Sequence, residues 1–259
     1  MKTNKEKVKE IIALIDNWIH YQTNIKEIPS VAVGIFMDDE TLFQKAYGYA
    51  NLETQTKATP STLYRIASHS KLFTATAIMK LYSEDKLSLD DRVSQHLEWF
   101  QSPHDEQMEH IRIRHLLTHS SGITRDSEFG HWITQQFPSF DEMKSMIQKG
   151  ISVFGTNEHY KYSNIGFTIL GMIVSKVSGQ SYEDYILALA HSLEMEHTYP
   201  DLSEENLPQH ATGYGLKFPN EPRPVLKHTS ANSMNSATGL SSNVEDLIKF
   251  YQAHMFGND

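Results

Sequence analysis

The 259-residue sequence contains no cysteine, no block of five or more consecutive Lys/Arg, and no apolar run approaching the length of a bilayer. Without thiols there can be no disulfides, zinc–thiolate sites, iron–sulfur clusters or Cys nucleophile. With 23 Lys and Arg against 32 Asp and Glu, the formal charge is −9, which argues against nucleic acid or a polybasic membrane surface as a partner. Crossing a membrane as a helix takes roughly 18–20 apolar residues, so no membrane span is expected. The opening residues, MKTNKEKVKEIIALIDNW, lack both a continuous apolar core and a small-residue cleavage site. They read as an amphipathic helix instead of a secretory leader, and the expected location is cytoplasmic. P-loop, G-x-G-x-x-G and G-x-S-x-G patterns are all missing, and no cofactor is implied.

What is present suits one large domain or two small ones, with 39% hydrophobic residues. Val8, Ile11, Ile12, Ile15, Trp18 and Ile19 recur at helical spacing and predict a helix from about Lys5 to Tyr21. Ser30–Met37 and Leu42–Tyr49, joined through Asp38–Thr41, read as a β-hairpin. Its first strand is apolar on both faces, which predicts a place inside a larger, helix-covered sheet. Helical patterns follow at Ser68–Leu81, Val93–Phe100, Ile113–Thr118, Phe140–Lys149, Ile165–Val177 and Tyr182–Leu193, with Gly179 as a C-cap. Residues 199–235 read as loop with short strands, and a last helix starts near Val244, capped by Ser242 or Asn243. Two strands are too few to form a sheet alone. Either strands hide in 199–235, or the sheet takes partners from outside this chain, in a homo-oligomer or as a partner strand on its exposed edge.

Ser68-His69-Ser70-Lys71 places a hydroxyl and an amine one helical turn apart, on one face. Burial that lowers the Lys pKa lets the amine take the hydroxyl proton, and a helix N-terminus favours a developing oxyanion. Ser83-Glu84-Asp85-Lys86 has the same spacing in a polar stretch and reads as a solvated turn. Tyr162-Ser163-Asn164 can set a phenol and a carboxamide on one turn, although spacing alone favours a core-edge tyrosine. Tyr49-Ala50-Asn51 shares that spacing but reads as a strand end. His115 and His119 are an i, i+4 pair without the Glu of H-E-x-x-H, so packed, hydrogen-bonded histidines are expected and no metal site. His104, His110 and His131 read as loop residues.

Taken in order, several segments resemble the serine β-lactamase and penicillin-binding-protein family, in its branch of class C β-lactamases, esterases and D-aminopeptidases. Thr62–Ala75 resembles the nucleophile segment and Ile113–Ile123 the helix-and-turn segment. Tyr160–Gly171 resembles the tyrosine motif, and Asn235–Leu247 the Gly-Leu-Ser-Ser turn into a helix. The hairpin at 31–49 and Leu87–Arg92 also match, so the likeness runs from about residue 25 onward. It implies an α/β (α+β) fold: an antiparallel sheet flanked by helices, with a mostly helical insert carrying the site. A single domain is expected over 1–259, with 1–67 and 229–259 on the sheet side and 68–228 mostly helical. The implied roles are Ser68 as acylated nucleophile, Lys71 as its base, Tyr162 in proton transfer and Asn164 in orienting substrate, with no metal.

The family's third motif, Lys-Thr-Gly or His-x-Gly on a strand, should follow residues 235–250. The nearest lookalike, His210-Ala-Thr-Gly213, comes earlier and in a loop. The reading is of a chain shortened at its C-terminal side, with the last strands of the fold missing. Two functions follow: a serine hydrolase acting through an acyl-serine on an ester, amide or β-lactam carbonyl, or a non-catalytic binding module of the same fold. A His-rich metalloprotein is a third, lesser alternative. The residues do not choose among β-lactam, D-amino-acid peptide and ester.

Overall fold

The computed structural model describes residues 4–255. The chain starts with helix α1 (Asn4–Ile25) and a hairpin of β1 (Ser30–Met37) and β2 (Glu40–Asn51), to which the short β3 (Thr56–Lys57) adds. Strand order is β1-β2-β3, with β1 and β2 antiparallel and their register slipping between Ile35 and Phe36. α1 lies along one face of the hairpin, where Asp16 takes bonds from Lys45 Nζ (2.7 Å) and the Tyr47 hydroxyl (2.7 Å). The opposite face carries the terminal helix α9 (Val244–Met255), whose Val244 and Ile248 lie directly against Gly34. Asn243 caps α9 by accepting from the Asp246 N–H at 2.8 Å, one of the two caps expected.

Between the hairpin and α9 in chain order, the chain builds its helical part. β4 (Tyr64–Arg65) leads through a 3₁₀ turn (Ala67–His69) into α2 (Ser70–Ser83). Short helices α3 (Val93–His96), α4 (Ile113–Leu117) and α5 (His131–Thr134) precede α6 (Phe140–Gln148), α7 (Asn164–Ser178) and α8 (Tyr182–Ser192). Loops follow, carrying the two-residue strands β5 (Gly213–Tyr214) and β6 (Val225–Leu226). A π-turn (Asn235–Gly239) then enters β7 (Ser241–Ser242), which pairs with β4. α7 is apolar all round and buried from Asn164 to Val174, as a central core helix must be. It packs on α2 and on the π-turn, and Phe73 of α2 stacks on Phe250 of α9 with ring centroids 4.0 Å apart. Gly179 ends α7 in the left-handed conformation.

Among the described residues β1 ends its three-stranded sheet and is half-buried along its whole length, with α1 and α9 packed on it. Other expectations need correction. Ile11 and Trp18 do not share the inward face of α1 with Val8, Ile12, Ile15 and Ile19. They line up with Leu14, Tyr21 and Ile25 in an exposed stripe at helical spacing. The Val93–Phe100 pattern is one helical turn followed by a hydrogen-bonded turn, Phe100 N–H donating to the Leu97 carbonyl at 2.8 Å, with Val93, Leu97 and Phe100 all buried in the core. His131 is not a loop residue: it opens α5 and is fully buried. No helix among the described residues is long and apolar enough to cross a membrane.

Candidate active site

The site forms where the N-terminal ends of α2 and α7 meet the π-turn. Ala67, just before Ser68, has φ +47°, a left-handed conformation that costs a non-glycine residue about 1–3 kcal/mol. The surroundings hold it there. Ser70 Oγ donates to the Ala67 carbonyl at 2.6 Å and accepts from the Leu240 N–H at 3.0 Å, while Ile66 N–H donates to the Leu240 carbonyl. The result is an exposed Ser68 above a buried Lys71.

Ser163 sets the other half. Its hydroxyl caps α7 by accepting from the Gly166 N–H (2.9 Å) and donates to the Thr124 carbonyl (2.7 Å). Its own N–H donates to His119 Nδ1 at 3.1 Å. With Ser163 fixed on three sides, Tyr162 and Asn164 project from either side of it toward α2. The His119 ring lies 4.5 Å from the Tyr162 ring, and burial with the nearby Lys71 charge pushes its pKa down to about 4. At neutral pH His119 is therefore an uncharged acceptor and a wall.

The four residues converge. Tyr162 Oη lies 2.8 Å from Ser68 Oγ, and Lys71 Nζ lies 3.4 Å from the same oxygen. The Lys71 amine donates to Asn164 Oδ1 and to the Ala237 carbonyl, each at 2.7 Å. Burial is the main force lowering the Lys71 pKa to about 8, with Arg125 lowering it further and Asp126 opposing. A neutral amine has two N–H donors and one lone pair. Both donors have acceptors here, which leaves the lone pair for the Ser68 hydroxyl. A cleft of about 480 Å³ runs beside the site, with Arg65, Ala67, Trp132 and Thr238 in its wall.

The lookalike motifs scatter. Ser83 bonds the Lys80 carbonyl and Lys86 pairs with Glu84 on the surface. Tyr49 sits in the β2–β3 ladder, and Asn51 ends β2 and bonds Thr212. His115 is hydrogen-bonded through both ring nitrogens, to the Arg112 N–H and to Asn157. Among the described residues no group of three or more His, Asp or Glu is placed to hold a metal. His210 of the His-Ala-Thr-Gly lookalike is buried against the Asn206 carbonyl. Sequence reasoning missed the Ala237 carbonyl, which has no side-chain signature, and Asp126, whose carboxylate takes a bond from Asn164 Nδ2 at 2.6 Å.

Comparison with known proteins bears on this geometry. The Beta-lactamase family model matches residues 15–258. The chain belongs to the beta-lactamase family. It is 31% identical over 241 residues to Protein flp of Staphylococcus aureus (strain MW2), covering 91% of this chain and 48% of that protein. It is 32% identical over 186 residues to a putative D-alanyl-D-alanine carboxypeptidase of Escherichia coli (strain K12), covering 66% of this chain and 43% of that protein. Among solved structures, the octameric penicillin-binding protein homologue from Pyrococcus abyssi superposes with a TM-score of 0.83 at 29% identity, over 96% of this chain and 57% of that one. A class C beta lactamase superposes with a TM-score of 0.82 at 26% identity, over 98% and 67%. The chain thus spans about half the length of these curated relatives. The mixed α/β architecture with small antiparallel sheets is that of the β-lactamase and transpeptidase fold.

Proposed function

We propose that this beta-lactamase family chain carries the nucleophile half of a serine hydrolase that works through an acyl-serine. The observation that carries the reading is the placement of Ser68 Oγ between the Lys71 amine and the Tyr162 phenol. Ser68 Oγ attacks an ester, amide or β-lactam carbonyl while its proton passes to the neutral Lys71 amine. Tyr162 delivers a proton to the leaving oxygen or nitrogen as the carbonyl re-forms and the bond to the leaving group breaks. Water then adds to the acyl-serine as its proton passes to the Tyr162 oxygen, and Lys71 returns its proton to Ser68 Oγ as the acyl–oxygen bond breaks and the acid leaves. Asn164 orients the carbonyl-bearing substrate and the Lys71 amine together. The putative D-alanyl-D-alanine carboxypeptidase among the relatives supports acyl compounds ending in D-amino acids, and the class C likeness supports β-lactams, as the first substrates to try.

Intact-mass spectrometry after exposure to a fluorophosphonate tests the reading. The wild-type chain should gain one adduct mass and Ser68→Ala none. Equal labelling of both proteins removes Ser68 from the chemistry. A labelled chain that turns over neither nitrocefin nor p-nitrophenyl acetate above the Ser68→Ala background supports the binding-module alternative.

We further propose that copies of this chain associate through the outer edge of β1, which has no strand partner among the described residues, and through the exposed apolar stripe Ile11, Leu14, Trp18, Tyr21 and Ile25. Light scattering on the purified chain should report a species heavier than one chain, and Trp18→Glu should shift it toward the monomer. A monomeric wild-type chain at the same concentration contradicts this association.

A further inference from the structure

We propose that Asp126 is a positioning residue for the Ser68 site: its carboxylate fixes the Asn164 amide so that the amide oxygen faces the Lys71 amine. The proposal rests on the acyl-serine reading above.

The two ends of a carboxamide are alike in shape, so packing alone does not decide which end faces an amine. Asn164 is buried, with its amide between Lys71 Nζ and Asp126 Oδ1. A carboxylate can only accept, so the Asn164 NH₂ must turn toward Asp126, at 2.6 Å, and Oδ1 is left to take the Lys71 bond at 2.7 Å. Reversing the amide would set an NH₂ against the Lys71 N–H groups and an oxygen against a carboxylate, two repulsive contacts.

The Asp126 carboxylate is itself held. Arg125 Nε lies 3.1 Å from Oδ2, and His131 Nε2 lies 3.9 Å from Oδ1. His131 is fully buried and its Nδ1 meets the Ser127 hydroxyl at 2.9 Å, which leaves Nε2 without a hydrogen-bond partner and turned toward Asp126. The Asn164 and Ile165 N–H groups both reach the Arg125 carbonyl, so residues 125–126 seat directly on the N-terminus of α7, where a negative charge is favoured. Lys71 is faced by Asp126 and Arg125 from this loop, by neutral His119, by the Tyr162 phenol, and by the Ala237 carbonyl from the π-turn. Of these, Asp126 carries the negative charge that opposes the loss of the Lys71 proton. Asp126 touches no reacting atom in this arrangement. It acts through Asn164 and through its field at Lys71.

The test compares wild type, Asp126→Asn and Asp126→Ala in two readouts: the pH dependence of fluorophosphonate labelling, and NMR of the Lys71 amine and the Asn164 side-chain amide. Asp126→Ala frees the amide to rotate, and labelling should slow about 10–100-fold, the usual loss for a broken charged hydrogen bond. Asp126→Asn keeps an acceptor oxygen but removes the charge. Its labelling plateau should stay close to wild type while the Lys71 midpoint falls below its wild-type value of about 8. The Asn164 amide protons should shift in Asp126→Ala. A Lys71 midpoint and Asn164 amide signals that match wild type in both variants overturn the proposal, whatever happens to stability. If wild type is not labelled at all, the hydrolase reading fails, and the NMR arm still decides the positioning role by the same criteria.

Discussion

Lys71→Met is expected to slow acylation of Ser68 about 10²–10⁴-fold, the range over which a positioned proton acceptor acts. The substitution keeps the length of the side chain and its burial, and removes only the amine. In wild type the amine must be uncharged to accept the Ser68 proton, so labelling should rise with pH and reach half its plateau near about 8, where burial has placed the Lys71 titration. Below that pH the amine carries its third proton and offers Ser68 no lone pair. Lys71→Met should lose this rise, and Lys71→Arg should not restore it, since a guanidinium stays charged. Stopped-flow or quenched labelling across pH 5–10 checks the outcome. A wild-type profile with no inflection near about 8, or a Lys71→Met profile that retains it, assigns the base elsewhere.

Gly122→Ala is expected to destabilise the fold by about 3 kcal/mol, combining a left-handed backbone penalty with overpacking against main chain. Gly122 has φ +74°, and a Cβ there would lie 2.2 Å from the Phe154 carbonyl oxygen and 2.8 Å from its carbon. Neither atom belongs to a flexible side chain. The Gly122 carbonyl also accepts from the N–H groups of Val153 and Phe154, at 2.9 and 3.1 Å, so the two segments cannot separate without losing both bonds. His119, three residues back, has φ +56° and carries the acceptor for Ser163, so a shift of this turn should reach Tyr162. Urea denaturation should show a lower midpoint at an unchanged slope. A loss under about 1 kcal/mol would show that the 153–154 segment yields easily, and that this turn does not brace the site.

The parts of the site that belong to side chains with a fixed spacing were legible in the sequence. Ser68 and Lys71 sit three apart, and the structure keeps them on one face even though the turn containing Ser68 is 3₁₀ and α2 proper begins at Ser70. Tyr162 and Asn164 were weak on spacing alone, and gained meaning only from the order of the surrounding motifs. The missing pieces are of a different kind. The Ala237 carbonyl is backbone and leaves no trace in residue identity. Asp126 lies in the Ile-Thr-Arg-Asp loop, and its relation to Asn164 is a tertiary contact across 38 positions. In the fold, the inward and outward stripes of α1 were merged because Ile11 and Ile12, like Trp18 and Ile19, are adjacent in sequence and helical spacing fits either member. β1 is apolar on both faces because helices cover it, α1 on one side and α9 on the other, and it pairs with a strand on one side only among the described residues.

A crystal structure of the chain soaked with a fluorophosphonate or a penicillin tests the central claim most directly. It should show continuous density from Ser68 Oγ to the acylating or phosphonylating atom, with Lys71 Nζ and Tyr162 Oη in contact with the modified oxygen and Asn164 still bonded to Lys71. An adduct on any other residue, or a Ser68 adduct with Lys71 and Tyr162 turned away from it, would contradict the account.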